Sequence, residues 1–161
     1  MIYLDYHATT PLDPRVKEAM RPFWDELFAN PSSTTHAPGR KAAAAVIQAR
    51  EQVARLLACS PGEIIFTSGA TEANNLAVLG TARADPRGRR RIVVSSIEHK
   101  AILEPAAYLS RQGYDVVRVP VDQTAVVDKD FLRSVVDDNT LLVSIHAANN
   151  EVGTLQDILD I

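Results

Sequence analysis

The stretch Phe66-Thr-Ser-Gly-Ala-Thr-Glu-Ala-Asn-Asn-Leu-Ala-Val78, FTSGATEANNLAV, decides how the chain is read. It follows the β-rich run Gly62-Glu-Ile-Ile and passes at once into a helical pattern. The smallest residues of the region, Ser68-Gly69-Ala70-Thr71, stand at the junction. A parallel strand that ends in such a turn and continues as a helix sets backbone N–H groups at the carboxyl edge of a sheet. Those groups and the helix dipole favour an anion, phosphate above all. Gly69 is expected to allow a tight turn, Ala70 to keep the backbone approachable and Thr71 to add a hydroxyl donor. Small residues also occur at such junctions for packing alone, and the stretch is neither a Walker loop nor a GxGxxG fingerprint.

Downstream the pattern alternates. Strands are expected at Glu63–Thr67, Arg91–Ser95, Asp115–Val119 and Thr140–His146, and helices at Ala70–Thr81, Lys100–Gln112 and Lys129–Val136. Nearly all-apolar strands alternating with helices describe an α/β layer with a mostly parallel sheet. Upstream, Asp13 can cap a helix over about Arg15–Phe28, with Pro14 at its first position and Pro22 as a possible kink. Val16, Met20 and Phe23 share one face of it. A long alanine-rich helix is expected over about Gly39–Ala58, with Val46, Ile47, Val53 and Leu57 turned inward and Ser60-Pro61-Gly62 ending it.

The 161 residues fit one domain, here read as an arm and helices over 1–60 and an α/β portion over 61–161. The formal charge of −3 argues against nucleic-acid or membrane-surface binding, and the basic run Arg87, Arg89-Arg90-Arg91 reads as a solvated loop. No apolar run approaches the ~20 residues of a membrane span. The N-terminus lacks the features of a signal peptide. The single cysteine, Cys59, excludes an internal disulfide. Together these imply a cytoplasmic protein.

Two more polar groups fall at the carboxyl edge, where open α/β sheets bind ligands. His99 lies in Ser95-Ser-Ile-Glu-His-Lys100, where the second strand hands over to a helix. It can project into a crevice or simply cap the helix. Asn149-Asn150 follow the fourth strand and can make a turn. His7, His36, His99 and His146 show no ligand-like spacing, so no metal site is expected. Asp128, Asp130, Asp137 and Asp138 read as solvated, and Cys59 as a small packing residue.

Five stretches carry a resemblance: YLDYHATTPLDPRV, NPSS with His36, IIFTSGATEANNLA, SSIEHKAILEP and VSIHAANNEVGTLQDI. In this order and spacing they resemble cysteine desulfurases, of the class V group of fold-type-I enzymes that use pyridoxal 5′-phosphate. The resemblance covers essentially the whole chain. It implies part of the large domain of that fold, an incomplete, mostly parallel sheet with flanking helices. It also implies removal of sulfur from L-cysteine to give alanine and an enzyme persulfide, for iron–sulfur cluster assembly or tRNA thiolation. Ala70 and Thr71 are then expected to hold the cofactor phosphate, His99 to stack on its ring and shuttle protons, and Asn150 to hydrogen-bond its phenolic oxygen. His7 and His36 lie in motifs that border the active site in the family; both read first as structural residues, with His36 the one that could organise the pocket entrance.

The lysine that holds the cofactor, the aspartate on its ring nitrogen and the mobile cysteine nucleophile lie, in the family, beyond the point matching Ile161. Lys100 and Cys59 match neither role. The chain is accordingly expected to continue beyond Ile161 or to need a complementary chain. It is expected to be inactive alone, to leave Ile64–Phe66 without ladder partners, and to leave Val143 and Ile145 on an open edge. A homodimer and a sulfur-acceptor or scaffold protein are implied partners. The alternative is a related class V lyase or aminotransferase, such as one acting on selenocysteine, or a non-catalytic split chain.

Overall fold

Arg91-Ile-Val-Val-Ser95 is the strand around which the carboxyl-terminal part of the chain is built. Ile92, Val93 and Val94 are fully buried. The computed structural model describes residues 2–6 and 8–161. His7 lies outside the described residues. The chain divides into one compact unit that ends at Phe66 and a second, Thr67–Ile161.

In the second unit, strand β1 (Arg91–Ser95) lies between β2 (Asp115–Val119) and β3 (Thr140–Ser144), and both pairings are parallel. Side chains alternate across a strand. Ile92 and Val94 therefore join Val78, Ala82, Ile102, Ala106 and Leu109 in one core cluster. Val93 faces the opposite way and joins Val119, Val127 and Leu132 in the other. The first cluster is closed by helices α4 (Ala70–Ala84) and α5 (Lys100–Arg111), the second by α6 (Lys129–Val135). Handedness explains this split. Parallel crossovers are almost always right-handed. The step from β1 out to β2 and the return past β1 to β3 run in opposite directions, so their helices cover opposite faces.

The turns that redirect the chain are encoded locally. After α5, Gly113 takes φ +86. Its N–H donates to the Ser110 carbonyl at 3.0 Å, and the Tyr114 N–H donates to the Leu109 carbonyl at 3.1 Å. This paired helix ending places a residue in the left-handed region, where glycine has no Cβ to clash. The basic run is more than a solvated loop. Arg89 pairs with Asp85 at 2.8 Å, and Arg91 pairs with Asp115 at 2.8 Å and Asp137 at 2.6 Å, tying the amino ends of the strands together. Among the four aspartates read as solvated, Asp128 caps α6 by accepting from the Phe131 N–H at 2.9 Å.

The strand expected at Glu63–Thr67 does not form. Glu63 ends a 3₁₀ turn, Pro61–Glu63, and 64–67 join none of the three strands. A strand needs ladder partners for its backbone. Here the Ile64 carbonyl accepts instead from Arg50, whose guanidinium also lies over the Phe66 ring, and Ile65 stays 66% exposed. The expected first helix is two, α1 (Pro14–Met20) and α2 (Pro22–Asp25), broken where Pro22 removes an N–H. Asp13 caps α1 as expected, accepting from the Arg15 N–H at 2.8 Å.

Helix α3 spans Ala37–Leu56 and buries Gly39, Ala42 and Ala54. Val46, Ile47 and Leu57 are exposed, contrary to the inward face expected for them. The loop before α3 packs through small residues: a Cβ on Gly39 would stand 1.9 Å from the Ser33 carbonyl oxygen. Among the described residues no helix is long and apolar enough to cross a membrane.

Among the described residues strand β3 has a ladder partner on one side only, and Val143 on it is 39% exposed. Beside it lies an apolar groove of about 560 Å³ lined by Leu132, Val136, Ile145, Ile158 and Ile161. An open apolar edge is a template for pairing with another chain. The isolated chain is therefore expected to associate with rising concentration, and Val143→Lys to suppress this without loss of helical signal. Sedimentation velocity of both proteins checks it. A concentration-independent monomer of the parent chain would refute it.

Candidate functional site

The carboxyl ends of β1 and β3 are neighbours, and each is followed by a segment rich in polar groups. Between these segments lies a cavity of about 540 Å³. Ile97, Glu98, His99, Lys100 and Leu103 line it from the β1 side, Asn149 to Val152 from the β3 side, and Ala125 from a third loop.

His99 is the N-cap of α5. Its Nδ1 accepts a hydrogen bond from the Ala101 N–H at 3.0 Å. A neutral imidazole that accepts through Nδ1 carries its proton on Nε2. Capping and projection toward the cavity are thus compatible: the cap occupies one nitrogen and leaves Nε2–H as a donor. Lys100, exposed in the first turn of α5, also borders the cavity.

The two asparagines have different work. Asn149 is buried. Its Oδ1 accepts from the N–H groups of Glu151 at 2.9 Å and Val152 at 3.0 Å, and its Nδ2 donates to the Ile97 carbonyl at 3.3 Å. It folds the loop on itself and pins it to the β1 side. Gly153, at φ +78, closes the turn by donating its N–H to the Asn149 carbonyl at 3.0 Å. Asn150 is exposed in the cavity lining, and its side chain makes no hydrogen bond among the described residues.

Ala70 and Thr71 begin α4. Because the far end of α4 feeds the amino end of β1, their end of the helix belongs to the carboxyl edge of the same sheet. They are exposed and are not among the residues lining the His99–Asn150 cavity. The first intrahelical bond runs from the Ala73 N–H to the Gly69 carbonyl at 3.1 Å, so the N–H groups of Ala70 and Thr71 precede the ladder. Gly69, expected to allow a tight turn, does not do so through a left-handed torsion. Its backbone is extended at φ 164, and a Cβ there would meet nothing within 4 Å. The turn is held instead by Glu72, whose carboxylate accepts from the Ser68 N–H and hydroxyl, both at 2.7 Å. Those bonds, backbone first, hold the Glu72 carboxyl below the usual range.

Three contributors escaped the sequence reading. Glu98 is buried, and its Oε1 accepts from the Ser95 hydroxyl at 2.7 Å and the His146 N–H at 2.6 Å. Ala125 sits at φ +64, in a turn organised by Asp122. Hydrogen bonds from the Thr124 hydroxyl, then the N–H groups of Val126 and Thr124, hold the Asp122 carboxyl below its usual range. Gln156 is buried. It donates to the Ala125 carbonyl at 2.7 Å and accepts from the Val127 N–H at 3.1 Å, joining that turn to the segment after β3. His146 Nδ1 is buried with no partner among the described residues. His36 caps α3 in the first unit, its Nδ1 accepting from the Gly39 N–H at 3.0 Å. Among the described residues no group of three or more His, Cys, Asp or Glu side chains could hold a metal ion.

The asparagines offer a sharp contrast to measure. Asn149→Ala removes three side-chain hydrogen bonds around a buried loop and is expected to cost about 2–3 kcal/mol. Asn150→Ala is expected to change stability by no more than about 0.5 kcal/mol. Denaturant unfolding of both variants decides it, and equal losses would refute the division of roles.

The family model for class-V aminotransferases matches residues 2–161. The cysteine desulfurase IscS 1 of Archaeoglobus fulgidus is 46% identical over 161 residues, which is 100% of this chain and 42% of that protein. The mitosomal cysteine desulfurase of Encephalitozoon cuniculi is 47% identical over 162 residues, covering 99% of this chain and 38% of the relative. A solved structure described as a NifS-like protein superposes with a TM-score of 0.91 at 47% identity, over 96% of this chain and 42% of that one. SspA in complex with cysteine gives a TM-score of 0.90 at 40% identity, over 99% and 46%. The chain therefore spans less than half the length of these relatives. An α/β unit with a parallel sheet and a family-model match over residues 2–161 make this chain a member of the class-V aminotransferase family.

Proposed function

We propose that this chain supplies the amino-terminal part of the cofactor site of a pyridoxal-phosphate-dependent cysteine desulfurase. The observation that carries the reading is the single cavity shared by His99 and Asn150 at adjacent strand ends. The residues fit the cofactor. The N–H groups of Ala70 and Thr71 with the Thr71 hydroxyl form a donor set for a phosphate, and the open space at Gly69 lets one approach. Bound there, pyridoxal phosphate would supply an electron sink for bond changes at the substrate α-carbon.

The remaining work falls to the chain's own groups. The His99 ring offers a face for stacking, and its Nε2 is the atom placed to give up or take a proton. Asn150 offers a neutral amide donor to an oxygen of the ring. Asn149 and Gln156 hold the loop that carries Asn150. The overall change would be removal of sulfur from L-cysteine, leaving alanine and a persulfide on a cysteine. We assign neither that cysteine to Cys59 nor the cofactor-holding lysine to Lys100. A homodimer, a sulfur-acceptor or scaffold protein and a cytoplasmic setting belong to this proposal.

A second reading, in which the chain acts only with a complementary carboxyl-terminal polypeptide, is favoured by the open β3 edge and its apolar groove. Both readings expect no turnover from the 161-residue chain alone. Incubation with pyridoxal phosphate and L-cysteine, followed by assays for sulfide and alanine, tests that expectation. Sulfide formation without a second chain would overturn it. In the full-length protein, Thr71→Ala is expected to weaken cofactor retention by about 1–3 kcal/mol, the range for a hydrogen bond to a charged group. His99→Ala is expected to suppress turnover while costing only the α5 cap, about 0.5–2 kcal/mol of stability. Wild-type retention and turnover in both variants would exclude the site.

A further inference from the structure

We propose that Glu98 is a positioning residue for the cavity, setting the separation of His99 and Asn150 by bonding at once to the two strand ends that carry them. The proposal rests on the reading of the cavity as a cofactor site. Glu98 is 6% exposed, although it borders the cavity. A carboxylate this buried must be hydrogen-bonded to be tolerated. Its bonds reach both sides. Oε1 accepts from the Ser95 hydroxyl at the end of β1 at 2.7 Å and from the His146 N–H beyond β3 at 2.6 Å, while Oε2 has a longer contact, 3.4 Å, with the Ser144 hydroxyl. His99 is the next residue along the chain, and Asn150 lies four beyond His146. The same bond ends the strand. The sequence pattern extends β3 to His146, but the ladder stops at Ser144 and the His146 N–H turns to Glu98. Asn149 adds a second tie, from its Nδ2 to the Ile97 carbonyl, beside the first. Loss of Glu98 would leave that single bond to span the two walls.

The mechanism predicts which substitution is tolerated. In Glu98→Gln the amide oxygen still accepts from Ser95 and His146, and the amide nitrogen replaces only the oxygen with the long contact. Glu98→Ala loses every bond. Two sets of measurements separate this proposal from the functional reading beneath it. The first needs no cofactor. In the full-length apoprotein, amide exchange at His146 and the ¹⁵N shifts of the His99 ring report the two walls directly. Glu98→Ala should speed His146 exchange at least about tenfold and broaden or shift the His99 Nδ1 signal, while Glu98→Gln should stay near wild type. The second uses the holoenzyme. Glu98→Ala should shift the absorption maximum of bound pyridoxal phosphate and lower kcat by about tenfold to a hundredfold with KM within about twofold, and Glu98→Gln should restore both.

Where Glu98→Ala fails to fold, Ser95→Ala removes one 2.7 Å donor and should give an intermediate change in the same signals. Unchanged His146 exchange and His99 shifts in Glu98→Ala, or in Ser95→Ala where it stands in, would overturn the positioning role whatever the cofactor does. A fall in melting temperature with unchanged spectrum and kcat would also overturn it. Wild-type protein that takes up no pyridoxal phosphate would overturn the function proposed above, and the apoprotein measurements would still decide this one.

Discussion

Burial of β1 on both faces is the constraint from which the rest of the second unit follows. Ile92, Val93 and Val94 are all fully buried, which a strand achieves only between two covered faces. Burying each such side chain contributes about 1.5–3 kcal/mol, so the sheet cannot shed either layer cheaply. Right-handed crossovers then fix which helix lies on which face. They also fix where the loops end. Every parallel strand discharges its loop at the same edge, so Ser95–His99 and Ile145–Asn150 must meet there. The cavity is a consequence of topology before it is a consequence of any particular side chain.

The second unit was legible because its signals are local. Three consecutive buried apolar residues in β1 can only be central, and the expected bounds of β1 and β2 match those observed. The helices that cover them start at the expected residues, Ala70, Lys100 and Lys129. Two of their caps went unread: Asp128, taken as solvated, caps α6, and Gly113 ends α5. Where a long-range polar bond intervenes, the pattern misleads. Nothing local in Ser144-Ile-His146 signals that a carboxylate 46 residues from Ser144 will take the His146 N–H. His99 and Asn150 were expected at the carboxyl edge for the same local reasons, and both line the cavity there. Glu98, Ala125 and Gln156 were not, because each works through a partner distant in sequence.

The first unit shows the complementary failure. Large apolar residues at helical spacing in α3 suggest an inward face. The residues actually buried are Gly39, Ala42 and Ala54. Close approach of backbone to helix rewards the absence of side-chain volume, and an alternation of large and small residues does not reveal which side is used. The Ile64–Phe66 run shows the same ambiguity for strands. It has ideal β composition, yet composition cannot supply a ladder partner. Arg50 satisfies the Ile64 carbonyl in place of one.

Two histidines make the local and the functional separable. His36 and His99 each precede a helix, and each accepts a backbone N–H through Nδ1 at 3.0 Å. The cap is the same chemistry in both: an imidazole nitrogen replaces the oxygen that Ser or Asp offers at that position. It fixes the tautomer, so each neutral ring has Nε2–H available. What differs is the setting. His36 follows a surface loop of the first unit. His99 stands at the end of the most buried of the three strands, beside a buried carboxylate and across a cavity from the Asn150 amide, which has no partner among the described residues. A capping histidine elsewhere in a fold is a structural residue. At the carboxyl edge of a parallel sheet the same cap holds one ring nitrogen still and, in the function proposed above, leaves the other to act.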